Sequence, residues 1–172
     1  MHNRPSNLQY HESFGFQVND GPEIWTPNRV VNQGLNYALN AALLGQGTNS
    51  NWYIAPFAAN VNPAANVTAA NFASTLTEFT NYTQGTRPAW NADGAATTME
   101  LINDASPALI TVGSGAQTSI YGAGLISTSG KGATSGILFS AGLLQGAGLL
   151  NLAEGFEVRL KYRLTASSAS TP

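Results

Sequence analysis

Cysteine is absent from this chain of 172 residues, and charge is scarce. The chain has 7 Lys and Arg, 9 Asp and Glu and 2 His, and charged residues make up 9% of it, against about 25% in an ordinary soluble domain. Without cysteine there is no disulfide framework, no thiolate nucleophile and no Cys-based metal site. A net charge of −2 without a basic run lacks the positive stripe that binds phosphates, so we expect no nucleic-acid partner.

Long hydrophobic runs are also missing. The most apolar stretch, residues 136–152, is interrupted by Ser140, Gln145 and several glycines, and it is too short for the roughly 20 apolar residues of a membrane-spanning helix. The polar first seven residues lack the apolar core of a secretory signal. We therefore expect no membrane partner. A hydrophobic content of 43% nevertheless supports a packed fold.

Most of the remaining pattern is typical of β-strands. Near the start, Tyr10, Phe14, Phe16 and Val18 share one parity, which predicts a strand with one buried face. The last strand has the clearest alternation, with apolar residues on one side of residues 156–164. Its other side carries Glu157, Arg159, Lys161 and Arg163. That side is expected to face water or an acidic neighbour.

One strong helical pattern covers residues 29–44, with Asn28 as its N-cap and Gly45 as its C-cap. Apolar residues recur at three- and four-residue spacing and form a stripe, namely Val31, Leu35, Leu39, Ala42 and Leu43. The opposite side carries amides instead of charges, namely Asn32, Gln33, Asn36 and Asn40. Because Asn is a mediocre helix former, we expect this amide face to be covered. Residues 69–76 form a candidate short helix.

The predicted fold is mainly β: a jelly-roll-like β-sandwich with one N-terminal α-helix at about 29–44 and an extended N-terminal arm. We divide the chain into an arm and β-hairpin (1–28), a β-sandwich domain that includes the helix (29–166) and a flexible tail (167–172).

Catalytic motifs are missing. His2 and His11 fit no metal-ligand spacing, no G-x-S-x-G motif is present, and the glycine-rich residues 124–132 depart from the phosphate-binding loop pattern. A small hydrolase would depend on unpaired carboxylates such as Glu78 and Asp93. We therefore predict that the protein is not an enzyme and has no cofactor or metal.

A surface with so little charge is poorly protected against self-association, which favours a repeated structural subunit. Trp25, Trp52 and Trp90 lie in Pro-flanked or loop-adjacent segments, where an aromatic residue is either part of the core or an interface anchor. The arm at residues 1–10 has no apolar stripe of its own, so we expect it to become ordered against a partner.

Several blocks, in the same order along residues 29–165, resemble a family of small virion proteins. They are residues 29–37 (RVVNQGLNY), 52–55 (WYIA), 77–82 (TEFTNY), 86–90 (TRPAW), 120–127 (IYGAGLIS) and 131–136 (KGATSG). The family is that of the capsid cement or decoration proteins of tailed double-stranded DNA bacteriophages. The sequence departs from the family pattern at residues 141–152, where an apolar, glycine-rich run replaces a more polar stretch.

The resemblance implies a jelly-roll-like β domain on the outside of the capsid, made in the host cytoplasm, that clamps neighbouring major capsid proteins. It also implies self-association as a dimer or trimer. Because the family has no catalytic residues, only assembly contacts can be suggested, namely Arg4, Tyr10, Trp52, Trp90 and Lys131. The alternative is a tail, neck or surface-fibre subunit that binds host glycans through Trp52 and Trp90.

Overall fold

The protein's structure, a computed structural model, describes residues 7–115, 118–145 and 148–169. This part of the chain is mainly β, as predicted, with most strands arranged in two antiparallel sheets. The strands are β1 (Asn7–Val18), β2 (Ile24–Pro27), β3 (Arg29–Val30), β4 (Trp52–Phe57), β5 (Ala89–Trp90), β6 (Glu100–Ile102), β7 (Ala108–Thr111), β8 (Thr118–Ile120), β9 (Gly122–Ile126), β10 (Leu138–Leu143), β11 (Leu149–Leu152) and β12 (Glu157–Ala169). The helices are α1 (Asn32–Leu44) and α2 (Ala69–Thr75).

Sheet 1 is organised around the antiparallel pair of β1 and β12, the first and last strands. Its order is β2–β1–β12–β6, and β7 also pairs with β12. The ladder runs without a register shift from Asn7 opposite Ala169 to Val18 opposite Val158. The two ends of the described chain are therefore joined along the full length of β1.

Sheet 2 has the order β3–β10–β9–β4–β5, and β8 and β11 form a separate two-stranded sheet. The first sheet and the second contribute to one core, where Phe14, Phe16 and Tyr162 of sheet 1 pack with Ile54 and Leu125 of sheet 2. A second apolar cluster on sheet 2 includes residues of α2 and of the preceding loop, namely Val67, Ala69 and Phe72. Sheet 2 is thus packed on both sides.

The alternation predicted for the last strand is confirmed from residue 157 onward, whereas Phe156 precedes β12 and is 36% exposed. Val158, Leu160 and Tyr162 are buried, and the intervening charged residues lie on the other face. On that face Lys161 pairs with Glu23 at 2.7 Å and also with Asp104. Ion pairs also link Arg159 to Asp20 and Arg163 to Glu100. The outer face of sheet 1 is therefore a charged surface.

The helix predicted at residues 29–44 begins later than expected. The candidate short helix at residues 69–76 is confirmed as α2, so the described chain has two helices and not the one of the predicted fold. Residues 29 and 30 pair with Ala141 and Ser140 of β10 as strand β3, so α1 begins at Asn32, with Val31 as its N-cap. The helix ends at Gly45, in the left-handed conformation with φ 61°. A second helix, α2, begins after Thr68, whose side chain and that of Asn71 form a capping box.

The side of α1 that packs on the protein is not the predicted one. Gly34 is buried against the backbone of Phe139, and Tyr37, Ala38 and Ala41 are half-buried on the same side. The apolar stripe, a pattern typical of a side that faces the core, is exposed from Leu35 onward. The side of α1 that carries small residues can approach the sheet most closely. Because this side lies against the sheet, the leucines point outward.

Both ends of the described chain belong to sheet 1. Strands β1 and β2, within residues 1–28, form an antiparallel pair and share the core with β12. Ser167–Ala169, in the segment that we expected to be a flexible tail, pair with Asn7–Gln9. Pairing between strands distant in sequence is not revealed by local composition.

A Gly34→Ala substitution should destabilise the fold by about 1–3 kcal/mol, as overpacking does, although alanine normally favours a helix. The new Cβ would lie 2.0 Å from the Phe139 carbonyl oxygen, and this backbone atom cannot swing aside. Urea denaturation measures the change. The matched control is Gly85→Ala, whose Cβ meets nothing within 4 Å. Equal stability of the two variants would contradict the packing of α1 described above.

Candidate functional site

A long uncharged segment covers one part of the molecule. Every residue from 30 to 77 lacks an ionisable Asp, Glu, Lys, Arg or His side chain. The uncharged segment, residues 30–77, contains α1, β4 and α2. It contrasts with the outer face of sheet 1, where β12 and its neighbours carry several ion pairs. The uncharged segment and the residues that form these ion pairs therefore belong to different parts of the fold.

Within the uncharged segment, α1 presents leucines to solvent. The exposed fractions are 41% for Leu35, 59% for Leu39, 76% for Leu43 and 63% for Leu44. Leu35, Leu39 and Leu43 recur every four residues and lie on one side of α1; we call these three residues the leucine stripe. Single exposed leucines are ordinary on protein surfaces, but several on one helix face are typical of an interaction site.

The orientation of the leucine stripe is set by contacts on the other side of α1. The Gln33 side-chain oxygen accepts hydrogen bonds from the backbone N–H groups of Ala69 and Leu138, each at 2.9 Å. The Tyr37 ring packs edge-on against Trp52, with ring centroids 5.2 Å apart, and near Phe139. These contacts join α1 to α2 and to sheet 2, so the stripe is held in place before any partner binds.

The amide face of α1 is mostly not covered by the chain itself. Gln33 is half-buried and hydrogen-bonded, whereas Asn32, Asn36 and Asn40 are exposed. The expectation that another chain covers this face stays a prediction, whereas the exposed leucine stripe was not foreseen from the sequence. The signal that could have indicated it was the length of the uncharged segment around α1.

The predicted assembly contacts do not lie together in one surface. Arg4 lies outside the described residues. Tyr10 is 42% exposed on β1, where it is paired with Ala166, and Trp52 and Trp90 are half-buried neighbours on the paired strands β4 and β5. Tyr10 is the most exposed of the four described contacts.

Both tryptophans proposed for contacts or for sugar binding make internal contacts. The Trp52 ring lies between Tyr37 and Phe139, at 5.2 and 5.6 Å between centroids. The Trp90 ring packs on Tyr162, and its indole N–H donates to the Tyr162 carbonyl oxygen at 3.2 Å. Much of each ring surface is therefore already engaged in packing.

Lys131 also makes internal contacts, instead of extending from a free turn. Its Nζ donates to the carbonyl oxygens of Tyr82, at 2.7 Å, and Thr80, at 3.2 Å. The same ammonium lies 3.7 Å from the centroid of the Tyr82 ring, a cation–π contact. Lys131 thus attaches the loop that follows β9 to the segment that follows α2.

A buried ion pair lies beside this contact. The Arg87 guanidinium donates to both Glu78 carboxylate oxygens, at 2.8 and 2.7 Å, and both side chains are almost completely buried. Arg87 also donates to the carbonyl oxygens of Thr128 and Ala133, and Glu78 accepts from the Gly132 N–H. Glu78, a carboxylate on which a hydrolase could depend, is therefore engaged in holding loops together.

The core contains one carboxyl group with a strongly shifted pKa. Burial raises the pKa of Glu12 from an ordinary value of 4.5 to about 8, although hydrogen bonds from Tyr162 and Ser140 act to lower it. The Asn28 side-chain amide, oriented to donate, lies 2.9 Å from Glu12 Oε2. Glu12 is only 8% exposed, and it lies at the base of a surface cleft between β1, β2 and β12.

Among residues 7–115, 118–145 and 148–169, no group of three or more His, Asp or Glu side chains is placed to hold a metal ion. None of the helices in the described part of the chain has the length and apolar composition needed to cross a membrane. Comparison with known proteins finds no matching family model, no matching curated protein and no matching solved structure.

Replacing Glu78 with Gln should lower the free energy of unfolding by about 3–5 kcal/mol, because it leaves the Arg87 charge buried without its counter-ion. Arg87→Met should have a similar effect. The double variant should be less destabilised than the sum of the two, as measured by urea denaturation. Glu157→Gln is the control, since its 3.8 Å pair with Arg159 is partly exposed and should contribute under about 1 kcal/mol. Additive effects at 78 and 87 would exclude coupling.

The raised pKa of Glu12 predicts a pH-dependent contribution to stability. The folded chain retains a proton that the unfolded chain releases, so this contribution falls as pH rises from 4.5 to about 8 and then levels off. Each pKa unit corresponds to about 1.4 kcal/mol. Glu12→Gln should therefore gain stability relative to the natural chain across this window, as measured by urea denaturation at several pH values. A constant difference between the two chains would show that Glu12 titrates normally.

Proposed function

We propose that this protein is a structural virion protein that binds the outside of a phage capsid and bridges neighbouring major capsid proteins. In this role it stabilises the shell against the pressure of the packaged DNA. The observation that carries the proposal is the uncharged segment with its exposed leucine stripe. A preformed apolar patch on a surface without charge is suited to lasting association with other protein chains.

The physical mechanism is that of a clamp. Pressure inside the shell separates neighbouring capsid proteins along their shared edges. A rigid β domain bound across such an edge adds buried area that must be lost before the edge can open, and about 1,600 Å² is ordinary for a specific interface. Repetition over all equivalent sites of the shell adds avidity without strong single contacts.

Three further points support this function. The blocks between residues 29 and 165 resemble capsid decoration proteins, which implies a place on the capsid exterior and synthesis in the host cytoplasm. The two packed antiparallel sheets are compatible with the jelly-roll-like sandwich that we propose as the finer fold class. Strong internal ties, such as the Arg87–Glu78 pair, give the rigidity that a clamp requires.

The alternative function is weaker. A tail, neck or fibre subunit that binds host glycans would need aromatic rings free to stack on a sugar. Trp52 and Trp90, the rings considered for this role, pack on Tyr37, Phe139 and Tyr162. The geometry therefore favours association with protein over binding of sugar.

Purified protein should sediment with capsids that lack it and should raise the temperature at which those particles release DNA. Because the proposed contact is uncharged, binding should change little between about 50 and 500 mM salt. Arg159→Gln, on the charged face of sheet 1, is the matched control and should bind as the natural chain does. Absence of sedimentation with capsids, or unchanged heat resistance, would overturn the proposal.

A further inference from the structure

Strand β1 has an open edge along its first residues. On one side β12 pairs with the whole of β1, from Asn7 to Val18. On the other side β2 pairs only with residues 13–16. Among the residues that the structure describes, no strand lies on that side of residues 7–11. We call this side of residues 7–11 the open edge.

The backbone groups of Tyr10 point toward the open edge. Ala166, which lies opposite Tyr10 on β12, donates its N–H to the Met99 carbonyl oxygen at 2.8 Å, away from β1. Residues opposite each other in an antiparallel pair exchange two backbone hydrogen bonds or none, so Tyr10 does not bond to β12. The Glu12 carbonyl oxygen, two residues along, agrees with this direction, since it accepts from the Asn28 N–H at 3.2 Å on the side of β2.

The surface cleft at Glu12 follows this edge. It has a volume of about 440 Å³ and is lined by Tyr10 and Glu12 from one face of β1 and by His11 and Ser13 from the other. A cleft on a single face of a sheet would be lined by residues of one parity. The cleft therefore lies at the edge itself, in the row that β2 leaves where residues 27–30 cross to sheet 2.

The open edge lacks the features that normally prevent strand pairing, namely charged residues, proline and bulges. Residues 7–11 (NLQYH) include no Lys, Arg, Asp, Glu or Pro, and the β1–β12 ladder has no register shift. Arg163, which lines the cleft, is already engaged, with its guanidinium 4.6 Å from the centroid of the Trp25 ring and 3.4 Å from the Glu100 carboxylate. What the edge offers to a partner is therefore backbone hydrogen bonds instead of charge.

We propose that the open edge binds an extended segment of the major capsid protein, which joins sheet 1 as a strand beside β1. This inference rests on the proposed function, which identifies the partner. The edge specifies the chemistry of the segment, which is extended and has uncharged side chains over the cleft. In strand addition of this kind the affinity comes from main-chain hydrogen bonds. The contact is separate from the leucine stripe, because α1 packs on sheet 2, and a protein that bridges two neighbours needs two contacts.

Hydrogen exchange on the natural chain tests the strand addition. In the free protein the Tyr10 N–H should exchange fast, whereas the His11 N–H, which faces β12, should be protected. On capsids that lack the protein, exchange at Tyr10 should slow at least about 10-fold and exchange at His11 should change little. NMR after release from the particle measures both.

Two results of the exchange experiment would overturn the proposal. A Tyr10 N–H that is already protected in the free monomer would show that the chain covers its own edge. Protection that rises with protein concentration alone, without capsids, would assign the edge to a second copy.

A proline substitution tests the backbone contact. Tyr10→Pro removes the N–H at the open edge and should keep the fold, because an edge strand tolerates proline where its N–H faces solvent. Capsid binding should weaken about 10-fold, which corresponds to one hydrogen bond. His11→Pro removes an N–H that faces β12 and should lower the unfolding midpoint instead.

Tyr10→Ala is the matched variant, since it removes the ring and keeps the N–H. Its loss of capsid binding should be clearly smaller than that of Tyr10→Pro. Equal losses would assign the contact to the Tyr10 side chain and would overturn strand addition.

The capsid assays separate this inference from the proposed function. A natural chain that binds capsids with no change in exchange at Tyr10 would keep the function and overturn the inference. A natural chain that does not bind capsids would overturn the function itself, and with it the identity of the partner.

Discussion

The antiparallel ladder between β1 and β12 organises the whole described fold. It closes a loop of almost the whole chain, and the entropy of that closure must be compensated by the side chains that the ladder brings together. On one face it places Phe14, Phe16 and Tyr162 in the core shared with sheet 2. On the other face it places the residues that form ion pairs. The separation of an apolar side from a charged side therefore begins with this one pairing.

Polar groups that are buried inside the fold serve to join its parts. The Arg87–Glu78 pair ties the loop after β9 to the segment after α2, and Lys131 adds a second tie between the same segments. Glu12 lies where β1 meets Tyr162 of β12 and Ser140 of β10. Each group loses hydration on burial, so each needs its partners in place. In this chain several of the rare charged residues have structural roles, which leaves fewer available for catalysis or ligand binding.

The proposed function follows from the distribution of charge over the surface. A protein normally remains soluble because charged residues are distributed over its surface. In this protein the uncharged segment lacks such residues and exposes the leucines of α1. Coverage by other chains removes this apolar area from water.

The mainly β character and the alternation in β12 can be predicted from the sequence alone, because the exposure of a strand residue depends on its parity, which is local. The scarcity of charge is also read directly from the sequence. Which side of α1 is buried depends on the packed fold. The helical period makes the leucine side the expected core face, but Gly34 must lie against the backbone of Phe139, more than a hundred residues along the chain. The pairing of Arg87 with Glu78 and the burial of Glu12 were likewise decided by neighbours that are distant in sequence, because burial is a property of the packed whole.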